Sequence, residues 1–230
     1  MDYQKYKIEK IPGTVYYIPQ FITEEEEKYI IEHVDSVPKP KWTQLSHRRL
    51  QNWGGVPHPK GMIAEKIPDW LKKYIDKIAT LGIFETEKCP NHVLINEYLP
   101  GQGIMPHTDG PLFYPTVTTI SCGSHTLLEF QPSKSEDCQG ASVQDDASQG
   151  PTFSLLLEQR SLLILQDELY HNYLHSIAEV MDDHVTNNIA NLHVCSGNYV
   201  LGEKLTRGRR VSLTIRHVPK TTKLKISVGK

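Results

Sequence analysis

Residues 92–132 read HVLINEYLPGQGIMPHTDGPLFYPTVTTISCGSHTLLEFQP. Three segments in this stretch, HVLINEYL, TVTTISCG and HTLLEFQP, are short, rich in β-branched and apolar residues, and separated by Gly, Pro and Ser. The same texture returns in FSLLLEQ, SLLILQ and RRVSLTIRHV. Short strands in succession without intervening helices predict an antiparallel double sheet rather than a βαβ arrangement. The fold class expected is mainly β (α+β), with a jelly-roll core.

Working outward, residues 14–18 (TVYYI) read as a further strand. Thr23 has the chemistry of an N-cap, and the glutamates at 24–27 suit the positive end of a helix dipole. That helix is predicted to turn Tyr29, Ile30 and Val34 inward and to stop before Pro38. A loop rich in Pro, Gly and Trp follows. Asp69 then caps a second helix, with Leu71, Ile75, Ile78 and Ala79 at helical spacing. Two stretches, 133–150 and 181–206, are polar and aperiodic and read as surface insertions. No internal repeat or domain linker interrupts the chain. The expectation is a single domain over 1–230, with N-terminal helices over 1–90, a core over 91–218 and a basic tail over 219–230.

The chain of 230 residues is 38% hydrophobic and 23% charged, with mean hydropathy −0.42. Those values exclude collagen, coiled coil and wholesale disorder. No apolar run approaches the roughly 20 residues that span a bilayer. The start MDYQKYKIEKIPG lacks a secretory apolar stretch. An intracellular protein is expected, in nucleus, cytoplasm or both, and a monomer. Cys89, Cys122, Cys138 and Cys195 lie far apart with no Cys-x-x-Cys pair, so free thiols are expected.

Net charge is −2, too small to draw nucleic acid to the whole surface. Its distribution is uneven. Between Ser36 and Ala64 there is no acid, whereas Lys39, Lys41, Arg48, Arg49 and Lys60 are all basic. These cations neighbour Trp42 and Trp53, a combination able to bind phosphates and stack on bases. The plainer reading is that both tryptophans anchor the loop to the core.

The triplet His107-Thr108-Asp109 carries the strongest chemical signal. On an extended segment the two outer side chains point the same way. An imidazole and a carboxylate there form two corners of a coordination sphere. A third ligand from a distant strand would complete a facial triad with open positions, the arrangement of non-haem Fe(II) oxygenases. His171 and His175 both follow the apolar run SLLILQ. Upstream, Asn96 and Tyr98 share one face of a strand. In 210–216, Arg210, Ser212, Thr214 and Arg216 share a polar face, and Val211, Leu213 and Ile215 an apolar one. Arginines flanking hydroxyls suit a bound dicarboxylate, because guanidinium pairs with carboxylate bidentately.

Asn-x-Tyr, His-x-Asp, a distal His and Arg-x5-Arg, in that order, resemble the AlkB family of Fe(II)- and 2-oxoglutarate-dependent dioxygenases. The words PKPKWTQLS, LQNWGG, NEYLPG, GIMPH and DGPL-x-YPTV look like one eukaryotic branch of that family. The resemblance implies a double-stranded β-helix (jelly roll) core, with iron held by His107, Asp109 and His175, the last within Leu-His-x-Ile. It implies Arg210 on the distal carboxylate of 2-oxoglutarate, helped by Asn96, Tyr98 and Ser212, with Arg216 toward the metal end. Fe(II), 2-oxoglutarate and O2 are the implied cofactor and co-substrates. The implied reaction hydroxylates a C–H bond, often on an N-methyl group that leaves as formaldehyde, and releases succinate and CO2. The basic loop over 39–61 would form a substrate lid using Lys41, Trp42, Arg48, Arg49 and Trp53, and the partner would be DNA or RNA carrying alkylated bases. Two alternatives stand beside this: an oxygenase acting on a protein or small molecule, and a nucleic-acid-binding module without turnover. Pro111 follows the His-x-Asp triplet closely and offers no polar group to read a base.

Overall fold

Alternation along the strands builds two sheets whose facing sides differ in character. The computed structural model describes residues 2–9, 11–133 and 150–222. Its N-terminal part contains β1 (Thr14–Ile18), α1 (Glu24–Ser36), β2 (Thr43–Gln44), β3 (Arg49–Trp53), β4 (Met62–Ile63) and α2 (Asp69–Ala79). The core adds β5 (His92–Tyr98), β6 (Ile104–His107), β7 (Thr116–Cys122), β8 (Thr126–Pro132), β9 (Phe153–Leu157) and β10 (Leu162–Gln166). After α3 (Glu168–His171) come β11 (Tyr173–Ile177), β12 (Asp182–His184), β13 (Lys204–Thr206), β14 (Arg210–Arg216) and β15 (Thr221–Thr222). The major sheet runs β1-β10-β7-β14-β5-β3-β2 and the minor sheet β6-β11-β8-β9, with antiparallel neighbours throughout. This is a mainly β jelly roll with helices on one outer face.

The major sheet is buried on both sides, which explains its nearly continuous apolar strands. Tyr16 and Ile18 of β1, Leu162 and Ile164 of β10, and Val211, Leu213 and Ile215 of β14 face the helices and join one core. Val15, Tyr17, Leu163 and Leu165 face the minor sheet and join a second core with Leu128, Phe130, Phe153 and Leu155. Each fully buried aliphatic side chain contributes about 1.5–3 kcal/mol through lost apolar exposure. Gly103 lets β6 approach β11, because a Cβ there would lie 2.2 Å from the Ile177 carbonyl oxygen.

Helix α1 begins with a capping box: Thr23 Oγ1 accepts from the Glu26 amide at 3.1 Å, and Glu26 Oε2 accepts from the Thr23 amide at 3.0 Å. Such a cap is worth about 1 kcal/mol. Ile30 and Val34 are buried as predicted, but Tyr29 is 38% exposed, one position off that stripe. Helix α2 needs two corrections. Pro68 takes the N-cap position and Asp69 is the first helical residue. The buried face is Leu71, Tyr74, Ile75 and Ile78, whereas Ala79 is exposed as the helix ends.

The predicted loop over 39–61 contains β3, paired along its length with β5 (Gln51 opposite Ile95, Trp53 opposite Val93). Its Pro and Gly punctuation hid a strand completed by tertiary pairing. The predicted insertion over 181–206 is also structured. It pairs β12 with β13 and packs Val185 and Ile189 against Leu156. Buried Glu158 fastens the same region by accepting from Ser196 N, Ser196 Oγ, Gly197 N and Tyr199 Oη. Such bonds leave no period in the sequence. Thr221 and Thr222, placed in the tail, pair with Met62 and Ile63. The rest of that tail (223–230) and most of the 133–150 insertion, including Cys138, lie outside the described residues. Cys89, Cys122 and Cys195 are free thiols.

Candidate active site

Between the sheets lies a cavity of about 520 Å³. Strand β14 supplies its polar floor, with Arg210, Ser212, Thr214 and Arg216 all on the lining face. Pairing with β5 sets Arg210 opposite Tyr98 and Ser212 opposite Asn96, so both β5 residues join the lining. Leu128, Leu157, Leu163 and Leu165 form an apolar wall. His107 and His175 face each other across the β6–β11 pairing, and Asp109 completes the set.

Contrary to the expectation from their spacing, Asp109 does not share a strand with His107. Strand β6 ends at His107, and Asp109 reaches the cavity from the following loop. Its carboxylate is held by Arg216. Burial opposes its ionisation, but Arg216, with His175 and His107 nearby, prevails and holds the carboxyl below its ordinary range. Enclosure in the cavity wall pushes His175 down to about 4, against the opposing pull of Asp109, so its imidazole is neutral at physiological pH. The Nδ1 of His107 lies 2.8 Å from the Met105 carbonyl oxygen. A carbonyl only accepts, so that nitrogen carries the proton and Nε2 keeps its lone pair, the tautomer a metal-binding histidine needs.

The donor chemistry therefore fits a divalent transition metal: two imidazoles and an ionised carboxylate on one cavity. Among the described residues, no three His, Cys, Asp or Glu side chains converge into a finished metal cage.

Arg210 is 4% exposed. Its Nη2 donates to Ser121 Oγ at 2.9 Å, its Nε has no partner, and no carboxylate pairs with it among the described residues. Burial pushes the guanidinium down to about 10, still charged at neutral pH. A buried, unpaired cation is costly, and an incoming carboxylate would satisfy it. Tyr98 lies beside it, with the guanidinium carbon 5.7 Å from the ring centre.

The five lid residues separate. Arg48 lines the cavity and donates from Nε to Asn96 Oδ1 at 3.2 Å. Lys41, Trp42, Arg49 and Trp53 do not line it. Lys41 sits 4.1 Å over the Trp53 ring, Arg49 sits 4.0 Å over the Trp42 ring, and Arg49 pairs with Glu97 at 2.6 Å. Both tryptophans pack against the helix-side core. Strand parity is the cause: Arg49, Gln51 and Trp53 alternate onto that side with their β5 partners Glu97, Ile95 and Val93. His171 is exposed on α3 and contributes nothing to the cavity. His47 and Glu179, which sequence reasoning passed over, line it and approach each other to 3.1 Å. Only the tertiary structure brings those two together.

Residues 39–216 match the model of the 2OG-Fe(II) oxygenase superfamily. A zebrafish (Danio rerio) protein named "Probable RNA/DNA demethylase ALKBH6" is 53% identical over 234 residues, covering 100% of this chain and 96% of its own length. The chain belongs to the AlkB family of 2OG-Fe(II) oxygenases. Within that family it falls in the AlkB homologue 6 branch. An uncharacterized protein of Acanthamoeba polyphaga mimivirus, L905, is 25% identical over 88% of this chain and 84% of its own. Among solved structures, OsALKBH1 superimposes with a TM-score of 0.53 at 13% identity, covering 88% of this chain and 96% of that one. A Pseudomonas putida prolyl-4-hydroxylase superimposes with a TM-score of 0.51 at 10% identity, over 90% of this chain and 92% of its own. These two likenesses concern the fold alone. As an AlkB-family member the protein is a dioxygenase that requires Fe(II), 2-oxoglutarate and O2.

Proposed function

We propose that this dioxygenase oxidatively removes N-alkyl groups from nucleic-acid bases, using His107, Asp109 and His175 to hold iron and Arg210 to hold 2-oxoglutarate. The observation that carries the cofactor assignment is the buried Arg210, without an acidic partner among the described residues and in the same cavity as the three metal-type donors. Fe(II), 2-oxoglutarate and O2, when bound, supply an oxidative decarboxylation to succinate and CO2 coupled to hydroxylation of a substrate C–H bond.

The protein's own part is positional and electrostatic. Arg210 accepts the distal carboxylate into an environment where it is desolvated, with Ser212, Asn96 and Tyr98 fixing its approach. Arg216 keeps Asp109 ionised, and the Met105 carbonyl fixes the His107 tautomer that turns Nε2 toward a metal. The wall of Leu128, Leu157, Leu163 and Leu165 keeps the reacting centre dry.

Two observations support a nucleic-acid substrate: the similarity to the zebrafish protein with its printed name, and Arg48, a cation on the cavity lining. A second reading, a protein or small-molecule oxygenase, is favoured by one observation: Trp42 and Trp53 are used by the core and leave no tryptophan at the cavity. The test is anaerobic loading with Fe(II) and 2-oxoglutarate, then O2, with succinate and formaldehyde measured for wild type, His107→Ala and Arg210→Ala. N-methylated oligonucleotides should raise both products in the wild type alone. Succinate that ignores every methylated oligonucleotide would favour the second reading. Absence of succinate from the wild type with all substrates would overturn the proposal.

A further inference from the structure

Asp109 is the one metal-type donor not held by a strand, so its loop must be fixed by other means. Arg216 grips its side chain. The backbone after it is gripped by Tyr170, whose hydroxyl donates to the Gly110 carbonyl at 2.5 Å and shares the same hydrogen with the Phe113 carbonyl at 3.1 Å. Phe113 in turn lays its ring 3.8 Å from the Arg216 guanidinium carbon. The contacts close on themselves: Tyr170 to Phe113, Phe113 to Arg216, Arg216 to Asp109, and Gly110 back to Tyr170.

The fold goes to some length to present this hydroxyl. Tyr170 is buried on the single-turn helix α3, which connects β10 to the strand carrying His175. Asp167, immediately before α3, has φ 54° and ψ −124°, a backbone region that non-glycine residues avoid at a cost of about 1–3 kcal/mol. No side-chain cap offsets that strain. Close packing on the other side requires Gly13, where a Cβ would lie 3.0 Å from the Leu169 amide nitrogen. Burial, followed by the nearby Asp109 charge, pushes the phenol up to about 12, so it remains a donor throughout the physiological range.

We propose that Tyr170 is a positioning residue for the metal site: its shared hydrogen bond to Gly110 and Phe113 holds the 108–113 loop that carries Asp109 onto the cavity lined by the two histidines. This rests on the assignment of Asp109 as an iron ligand. Removing a group that orients a metal ligand typically costs about 10–100-fold in metal affinity.

The test compares Mn(II) affinity, by electron paramagnetic resonance on the full chain, for wild type, Tyr170→Phe, Asp109→Ala and Tyr17→Phe. Tyr17 is a fitting control because its hydroxyl is also buried in two hydrogen bonds, both to Glu158 and away from this loop. Tyr170→Phe should weaken Mn(II) about 10-fold. It should also speed hydrogen exchange at 108–115 in the metal-free protein, with Tyr17→Phe doing neither. Wild-type affinity in Tyr170→Phe, or equal weakening in both tyrosine variants, overturns the positioning role. Unchanged affinity in Asp109→Ala overturns the ligand assignment and the positioning role with it. The variant that fails to respond tells the two failures apart.

Discussion

His107 and His175 stand directly opposite each other in the antiparallel pairing of β6 and β11, with ring centroids 4.4 Å apart. Two residues separated by 68 positions in sequence are thus set by strand register rather than by loop conformation, and precision of that kind is what a metal site demands. Replacing either imidazole by Ala should weaken Mn(II) by more than about 100-fold, beyond the effect of losing an orienting partner. Each single variant should retain the fold, because neither ring makes a hydrogen bond that holds the sheets together. Circular dichroism alongside the metal titration checks both statements. A variant that binds Mn(II) as tightly as wild type would remove that histidine from the site.

Arg210 separates stability from activity. A buried guanidinium without an anionic partner is a liability to the fold. Arg210→Met should therefore leave the unliganded protein as stable as wild type or about 1–2 kcal/mol more stable, while abolishing succinate production. Arg210→Lys should also fail, because a lysine lacks the planar fork. 2-Oxoglutarate should raise the unfolding free energy of wild type by roughly 2.7 kcal/mol at a hundredfold excess over Kd, and leave Arg210→Met unmoved. Urea unfolding with and without 2-oxoglutarate gives the answer, and equal stabilisation of both proteins would displace Arg210 from the co-substrate site.

His92 makes stability depend on pH, over an acid range that buried His175 shares. It is fully buried on β5, its Nδ1 has no partner, and burial followed by the Arg216 charge pushes it down to about 3. The unfolded chain, with an ordinary histidine near pH 6.5, binds that proton while the native protein refuses it. Stability is therefore fully present above about pH 6.5 and is lost as pH falls toward 3, by up to roughly 1.4 kcal/mol per pH unit. His92→Phe should flatten this slope by about one proton between pH 6 and 4. Denaturant unfolding of the metal-free proteins across that range measures it. An identical slope in the variant would assign the acid sensitivity to other groups.

The large strands were legible in the sequence because burial wrote them there. In β14 the apolar residues Val211, Leu213 and Ile215 meet the helices while Arg210, Ser212, Thr214 and Arg216 line the cavity, so the alternation marks both core and site. The short strands carrying the histidines left no such mark. The middle of β6 (Met105 and Pro106) is exposed and that of β11 (Leu174, His175 and Ser176) only half-buried, so no apolar period develops. Of the candidate ligands, His107 and Asp109 stood out as metal-binding types within one triplet, and His175 was chosen over His171 through the motif resemblance. Tyr170 had no local signal, since its partners Gly110 and Phe113 lie about 60 positions away and are backbone carbonyls. The basic stretch misled in the opposite sense: composition groups Lys41, Trp42, Arg48, Arg49 and Trp53, whereas strand parity divides them.

That division gives the lid residues distinct expected phenotypes. Arg48 is the member on the cavity, held by one hydrogen bond to Asn96. If it contacts a phosphate, Arg48→Ala should lower affinity for a single-stranded oligonucleotide and reduce the slope of log K against log salt by roughly 0.7. Lys41 and Arg49 lie over tryptophan rings, and Arg49 also bonds Glu97, which is 4% exposed. Arg49→Ala should act on stability, by about 1–3 kcal/mol, through the weakened pairing of a buried carboxylate. Arg209, the remaining partner of Glu97, moderates that loss. Lys41→Ala should cost about 0.5–1 kcal/mol from its exposed ring contact. Oligonucleotide titrations at several salt concentrations, paired with urea unfolding, resolve the two behaviours. A salt slope that responds to Lys41 and Arg49 but not to Arg48 would place the nucleic-acid path on the helix side of the sheet, away from the cavity.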